Sequence, residues 1–135
     1  MIIKNLLAHK SIWLISAIFW TFIILFLCLI NSDDLPSLNL QVKGTDKVFH
    51  FILHFMFTSL WTLYLYAGAK TITKSKIVKI ILSSFLFGVL IELLQEYYTT
   101  SRNGDVFDVL SNTLGAFTAG ILLYFILNRI KKLKT

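Results

Sequence analysis

The sequence predicts an all-α membrane protein, a bundle of four transmembrane helices. Hydrophobic residues make up 56% of the 135 residues and charged residues only 15%, a composition too apolar for an ordinary soluble domain. The apolar residues fall into four runs, each close to the ~20 residues that a helix needs to cross a bilayer. A chain of this length is expected to form a single domain, residues 1–135.

The first two predicted helices cover about residues 12–30 and 48–69. The run at 12–30 contains no charged residue, and it is longer than the ~7 to 15 apolar residues of a typical cleaved signal peptide. We therefore expect it to remain in the mature protein. The segment between the two helices is polar and holds the only proline, Pro36, so it is expected to be an exposed loop.

The last two predicted helices cover about residues 77–94 and 106–127, and the charged residues orient the whole bundle. Ten of the thirteen Lys and Arg residues lie before the first helix, around the connection between the second and third, or after the fourth. By the positive-inside rule these segments face the cytoplasm. Both termini are therefore expected to be cytoplasmic, with the loops at 31–45 and 96–105 on the outer side.

Small residues indicate how the third and fourth helices pack. Residues four apart on one face are small in three cases: Ser84 and Gly88, Gly115 and Ala119, and Ala116 and Gly120. Such patterns let membrane helices approach backbone to backbone. We expect these two helices to pack along these faces and to bring Glu92 close to Asp108 and Asn112.

Polar and ionisable side chains are concentrated at the predicted outer ends of the second, third and fourth helices. Charged groups next to hydrocarbon are costly, so several at one depth indicate a functional site. We expect an outward-facing pocket in which Arg102 neutralises the carboxylates near it. The residues expected to bind a ligand there are Asp46, Lys47, His50, Glu92, Gln95, Arg102, Asp105, Asp108 and Asn112.

Simpler structural roles remain open for several of these residues. Asp46, Asp105 and Asp108 each lie at the start of a predicted helix, where a carboxylate can cap free backbone N–H groups. His50 and His54 lie one turn apart and could bind a metal together with a carboxylate. Most such pairs do not bind a metal, so neither a metal nor another cofactor is expected.

Two main function classes remain open. The first is a binding protein whose pocket recognises the head group of an amphiphile. The second is an enzyme in which His50, Glu92 and Asp108 are the candidate catalytic residues, as general acid and base or as metal ligands. No serine or cysteine nucleophile stands beside the histidines in sequence, which favours the binding protein. Transport is a third class, but a narrow four-helix bundle would need more than one copy for it.

The expected partners are membrane lipids rather than nucleic acid. The formal net charge is +6, but the basic residues are scattered between apolar segments and form no continuous stripe. The single cysteine, Cys28, lies inside an apolar run, so an intramolecular disulfide is excluded.

Three polar motifs are spaced along the last three predicted helices. They are D-K-x-x-H from Asp46, E-x-x-Q from Glu92, and R-x-x-D-x-x-D-x-x-x-N-x-x-G from Arg102 to Gly115, followed by Gly120. This pattern resembles the VanZ-like family of small bacterial membrane proteins; His54 lies outside it. Polar residues are rare in membrane helices, so a match in type, order and spacing is specific.

The resemblance implies a multi-pass protein of the bacterial cytoplasmic membrane with a role in the cell envelope. The name-giving member of the family is associated with resistance to teicoplanin, a lipidated glycopeptide. The expected ligand is therefore a lipid-linked wall precursor or a lipoglycopeptide. The resemblance does not imply a particular reaction.

Overall fold

The computed structural model describes residues 9–30, 44–99 and 104–132, and these ranges form four helices. Each helix is long and apolar enough to cross a membrane, which confirms the predicted all-α bundle of four transmembrane helices. The helices are α1 (Lys10–Leu29), α2 (Thr45–Ala69), α3 (Lys74–Tyr98) and α4 (Val106–Lys132).

The observed helices extend up to five residues beyond the predicted ranges. Hydropathy marks only the part of a helix that suits hydrocarbon, whereas backbone hydrogen bonding continues until a residue stops it. For α3, the side chain of Thr73 accepts a hydrogen bond from the N–H of Lys76, so the helix begins three residues earlier than its apolar run. At the other end of α2, Lys70 adopts a left-handed conformation with φ 53° and ends the helix.

The fourth helix packs most extensively against α2 and next against α3. Its glycines decide these two contacts. A Cβ at Gly115 would overlap the backbone carbonyl oxygen of Phe51 in α2, and a Cβ at Gly120 would lie 2.8 Å from Ile81 in α3. The prediction that small residues join α3 and α4 is correct for Gly120. It is wrong for Gly115, which lets α4 approach α2 instead.

Apolar side chains cover the outside of the bundle, and many large ones are exposed, such as Phe22, Phe26 and Leu82. An apolar exterior suits lipid and would be unfavourable in water. One buried apolar cluster, which includes Tyr66 and Leu127, lies where α2 and α4 end. At the opposite end α2 and α4 begin and α3 finishes. We call this opposite end the polar end, because the buried charged groups lie there.

Candidate functional site

Four of the predicted site residues come together, buried, at the polar end. His50 of α2, Glu92 of α3, and Asp108 and Asn112 of α4 are each 0 to 7% exposed. Because α2 and α4 both begin at this end and α3 ends there, residues far apart in sequence reach one depth. The predicted approach of Glu92 to Asp108 is confirmed: ligand atoms of His50, Glu92 and Asp108 all lie within 4.8 Å of one another.

Lys47 is the central cation of this site. Its Nζ donates to carboxylate oxygens of Asp105 at 2.8 Å, Asp46 at 2.9 Å and Asp108 at 3.2 Å. The hydrogen bond from Lys47, together with one from the N–H of Phe107, lowers the pKa of Asp105 from its usual value. The three donors of one ammonium group thus connect the start of α2 to the start of α4.

His50 lies between the two buried carboxylates. Its Nε2 is 3.6 Å from Oδ2 of Asp108 and its Nδ1 is 3.8 Å from Oε1 of Glu92. The nearest polar atom is Oδ1 of Asn112, 3.1 Å from Nδ1. Both carboxylate contacts are longer than an ordinary hydrogen bond, so the imidazole is held chiefly through Asn112.

Glu92 uses only one of its two carboxylate oxygens within the described residues. Oε2 accepts the backbone N–H of Asp105 at 2.9 Å, which fixes the start of α4 against the end of α3. Oε1 is buried and has no hydrogen-bond partner in the part of the chain that the structure describes, and the same is true of Nδ2 of Asn112. One acceptor and one donor in the site therefore remain unsatisfied there, which is costly for buried groups.

The capping interpretation is correct for Asp105, whereas Asp46 is not the N-cap residue of its helix. Oδ1 of Asp105 accepts the N–H of Phe107 at 2.8 Å, so this residue caps α4 while also binding Lys47. Helix α2 instead begins after Gly44, without a side-chain cap, and Asp46 lies in its first turn. Asp108, in the first turn of α4, has its side chain turned to Lys47 and His50.

The remaining two predicted ligand-binding residues are Gln95 and Arg102. Gln95 is buried, and its Nε2 donates to the carbonyl oxygen of Cys28 at 2.8 Å, so this donor joins α3 to the end of α1. Arg102 lies outside the described residues, and its predicted pairing with the carboxylates stays a prediction. Within the described ranges, Lys47 is the cation that contacts Asp105 and Asp108.

Buried polar residues continue along α2 beyond the predicted site. Thr58 and Thr62 extend the line of His50 and His54 at four-residue spacing, and these four residues are 0 to 5% exposed. Ser84 of α3 meets this line, with its Oγ 2.8 Å from Nδ1 of His54. The signal was present in the sequence, because a polar residue at every fourth position of a membrane helix forms one polar face.

Hydroxyl groups on this face differ in their hydrogen bonding from those nearer the surface. Thr21, Ser111 and Thr118 each donate to the carbonyl oxygen four residues earlier, at 2.7 to 2.9 Å. In contrast, the Oγ1 atoms of Thr58 and Thr62 are buried without a hydrogen-bond partner among the described residues. The interior of α2 therefore offers hydrogen-bonding groups well below the polar end.

One group of metal-ligating residues lies at the centre of the site. His50, Glu92 and Asp108 each offer a ligand atom within 4.8 Å of the other two, an imidazole and two carboxylates from three different helices. Its composition differs from the metal candidate that the sequence suggested, because His54 is directed to Ser84 and joins no such group in the described ranges.

Fold and site together define a multi-pass membrane protein with a buried, charged cluster at one end of a four-helix bundle. The chain matches the family model described as VanZ/LLP1 over residues 3–128, and the protein belongs to that family. The match confirms the resemblance seen in the polar motifs and extends it to α1. The chain has no significant match among curated proteins or among solved structures.

Proposed function

We propose that the polar end binds the head group of a membrane amphiphile in a bacterial cell-envelope role, such as tolerance of teicoplanin. The observation that carries this proposal is the cluster itself: charged and amide side chains of three helices meet, largely buried, at one end of a bundle whose exterior is covered by apolar side chains. In this proposal that end lies at the depth at which the polar and apolar parts of a lipid join. An amphiphile can present its polar part there without leaving the bilayer.

The exposure of the site residues suggests a route into the cluster. The side chains of Lys47 and Asp105 are 35% and 37% exposed, so they form the rim. Glu92 and Asn112 lie behind them and carry the unsatisfied acceptor and donor. A ligand that passes the rim and bonds to both atoms would remove a cost of about 1 to 3 kcal/mol for each group.

The charge of the cluster favours a head group that is rich in hydrogen-bond donors. Within the described residues three carboxylates surround the ammonium group of Lys47, and a fourth, that of Glu92, lies beside His50. Sugar hydroxyls and amines can bond directly to carboxylates, whereas a bare anion would be repelled. Lipid-linked wall precursors and lipoglycopeptides both carry sugars and peptide groups, and both are therefore suitable ligands.

In this proposal the polar end faces outward from the cytoplasmic membrane. The basic residues support this orientation, since Lys70, Lys74, Lys76 and Lys79 lie at or beside the opposite end of the bundle. Lipid-linked wall precursors and lipoglycopeptides would then meet the site on the side where the cell wall is built.

The proposal is tested by titrating purified protein in lipid nanodiscs with teicoplanin and with a lipid-linked wall precursor. Glu92→Gln removes the charge of the unsatisfied carboxylate and keeps its shape. Glu96→Gln is a matched control, because Glu96 lies one turn further along α3, is exposed and, among the described residues, accepts the N–H of Gly104. We expect the parent and Glu96→Gln to bind one of the two ligands equally, and Glu92→Gln to bind it at least ~10-fold more weakly, as for a lost charged hydrogen bond.

Teicoplanin tolerance of a sensitive bacterium that expresses each variant gives a second readout. The same order is expected: tolerance with the parent and with Glu96→Gln, and its loss with Glu92→Gln. Failure of the parent to bind either ligand, or equal binding by all three proteins, would overturn the proposal.

A second candidate function is a membrane-embedded enzyme that acts on a lipid-linked envelope substrate. The position of His50 between Asp108 and Glu92, at 3.6 and 3.8 Å, favours it, since imidazole and carboxylate are common acid and base groups. His50→Gln separates the two candidates. Glutamine keeps hydrogen bonding but cannot transfer a proton near neutral pH, so an enzyme would lose roughly 100 to 10,000-fold of its rate. A binding protein would keep part of its teicoplanin tolerance.

A further inference from the structure

The group of His50, Glu92 and Asp108 has the geometry of an open metal site. Ligand atoms bonded at about 2.0 to 2.2 Å to a tetrahedral ion lie roughly 3.3 to 3.6 Å apart. Nε2 of His50 and Oδ2 of Asp108 are 3.6 Å apart, and each of the three residues has a ligand atom within 4.8 Å of one from each of the other two. Glu92 Oε1 faces Nδ1 of His50 at 3.8 Å, so the Glu92 carboxylate has to rotate toward Nε2 to complete the set.

Asn112 orients His50 as a metal ligand requires. Oδ1 of Asn112 lies 3.1 Å from Nδ1 of His50, so it can accept the Nδ1–H and leave the Nε2 lone pair facing Asp108. Metal-bound histidines almost always donate their second N–H to an oxygen in this way. In this tautomer, Nε2 and the carboxylate of Asp108 face each other as two acceptors, an arrangement that is unfavourable unless a cation lies between them.

Glu92 supplies an independent indication of a cation. Glu92 is only 6% exposed, and its Oε1 has no hydrogen-bond partner in the described ranges. This oxygen nevertheless faces His50, at 3.8 Å from Nδ1. Oε2 is already fixed by the N–H of Asp105 at 2.9 Å, so the side chain is held in place with one free oxygen in the site.

We propose that His50, Glu92 and Asp108 bind one divalent transition-metal ion, Zn²⁺ or Mn²⁺ by ligand type, since imidazole suits zinc and carboxylates suit manganese. Asp108 divides its oxygens between two cations: Oδ1 accepts from Lys47 at 3.2 Å, and Oδ2 faces the metal position. Three protein ligands leave a coordination position open, as in zinc sites that bind substrate.

The open position explains how a cluster of carboxylates can bind an anionic amphiphile. The ion would neutralise the charges of its two carboxylate ligands, Glu92 and Asp108, so that a phosphate oxygen of the head group can occupy the free position, within reach of Lys47 at the rim. This second step rests on the proposed function, whereas binding of the ion does not. The ligand class that follows is a lipid phosphate or pyrophosphate.

The ion is tested first, by adding Zn²⁺ or Mn²⁺ to chelator-treated protein in detergent and measuring binding by calorimetry. We expect one ion per chain for the parent. Glu92→Gln should bind roughly 100-fold more weakly, because loss of even an outer-shell partner costs about 10 to 100-fold. Glu96→Gln and His54→Gln serve as matched controls, since neither residue belongs to the group, and both should bind like the parent.

Thermal melting shows whether each variant is folded. The added ion should raise the melting temperature of the parent and of both controls, and should leave that of Glu92→Gln unchanged, because an ion that binds only the folded state stabilises it. Less than one ion per chain in the parent, or equal affinity in Glu92→Gln and Glu96→Gln, would overturn the metal site.

Phosphate binding is tested in nanodiscs with a polyprenyl phosphate and, for comparison, the polyprenol of the same length. Binding of the phosphate alone, lost at least ~10-fold on adding a chelator, would support the inference. Equal binding of the two lipids, or no effect of the chelator, would overturn the phosphate step. Teicoplanin or wall-precursor binding that persists with the chelator would leave the proposed function standing while this inference fails.

Discussion

Replacing Lys47 with methionine should destabilise the bundle clearly. The change removes the ammonium group and keeps most of the length and apolar character of the side chain. Three carboxylates lose their common cation, those of Asp46, Asp105 and Asp108. Their exposure decides how much each loss costs, because solvent screens an exposed pair and does not screen a buried one.

The cost of losing each of the three ion pairs depends on the exposure of its side chains. The side chains of Asp46 and Asp105 are 54% and 37% exposed, so each pair contributes about 0.2 to 1 kcal/mol. The side chain of Asp108 is only 10% exposed, and breaking a fully buried pair costs ~3 to 5 kcal/mol. Since Lys47 itself is 35% exposed, that cost is reduced, and the total should be about 2 to 3 kcal/mol.

The assay is thermal unfolding of the purified protein in detergent. A loss of 2 to 3 kcal/mol corresponds to a melting temperature lower by roughly 5 to 15 °C for a chain of this size. Lys79→Met is the matched control, because Lys79 is an exposed lysine of α3, and it should melt within ~2 °C of the parent. Adding Asp108→Asn to Lys47→Met should recover part of the loss, because it removes the uncompensated charge. A Lys47→Met protein that melts like Lys79→Met would refute this reasoning.

The remaining predictions concern pH, topology and helix packing. The pKa of Asp105 is lowered by Lys47, so this carboxylate adds stability above its unfolded pKa of about 3.9 and that stability is lost as the pH falls through the lower folded pKa. The difference in melting temperature between the parent and Lys47→Met should therefore shrink below about pH 4. A difference that stays constant with pH would contradict this prediction. Reporter fusions at position 73 and at the C-terminus should report the cytoplasm and one at position 38 the outside; an exterior C-terminus would refute the orientation. Gly115→Ala should lower the free energy of unfolding by about 1 to 3 kcal/mol, measured by melting in detergent, because its Cβ would overlap the backbone of Phe51. Gly68→Ala should be tolerated, because its Cβ would meet the flexible side chain of Lys10 at 3.4 Å.

Local properties of the sequence were sufficient to predict the four helices. Four apolar runs near the length of a membrane span predicted α1 to α4, and the structure differs only at the helix ends. The polar motifs also predicted the family and most of the buried cluster, including the approach of Glu92 to Asp108. These predictions succeed because hydropathy and helical spacing depend on neighbours along one helix.

Several other contacts between helices were decided by the tertiary structure alone. The side-chain nitrogen of Gln95 binds α1 through Cys28, and Gly115 faces α2 rather than α3. Lys47, which the sequence predicted only as one of nine ligand-binding residues, joins three carboxylates. These facts depend on how far each helix is rotated about its axis when small residues and large ones fit together. A periodic pattern gives the polar face of one helix, but the partner that this face meets is fixed only when all four helices pack.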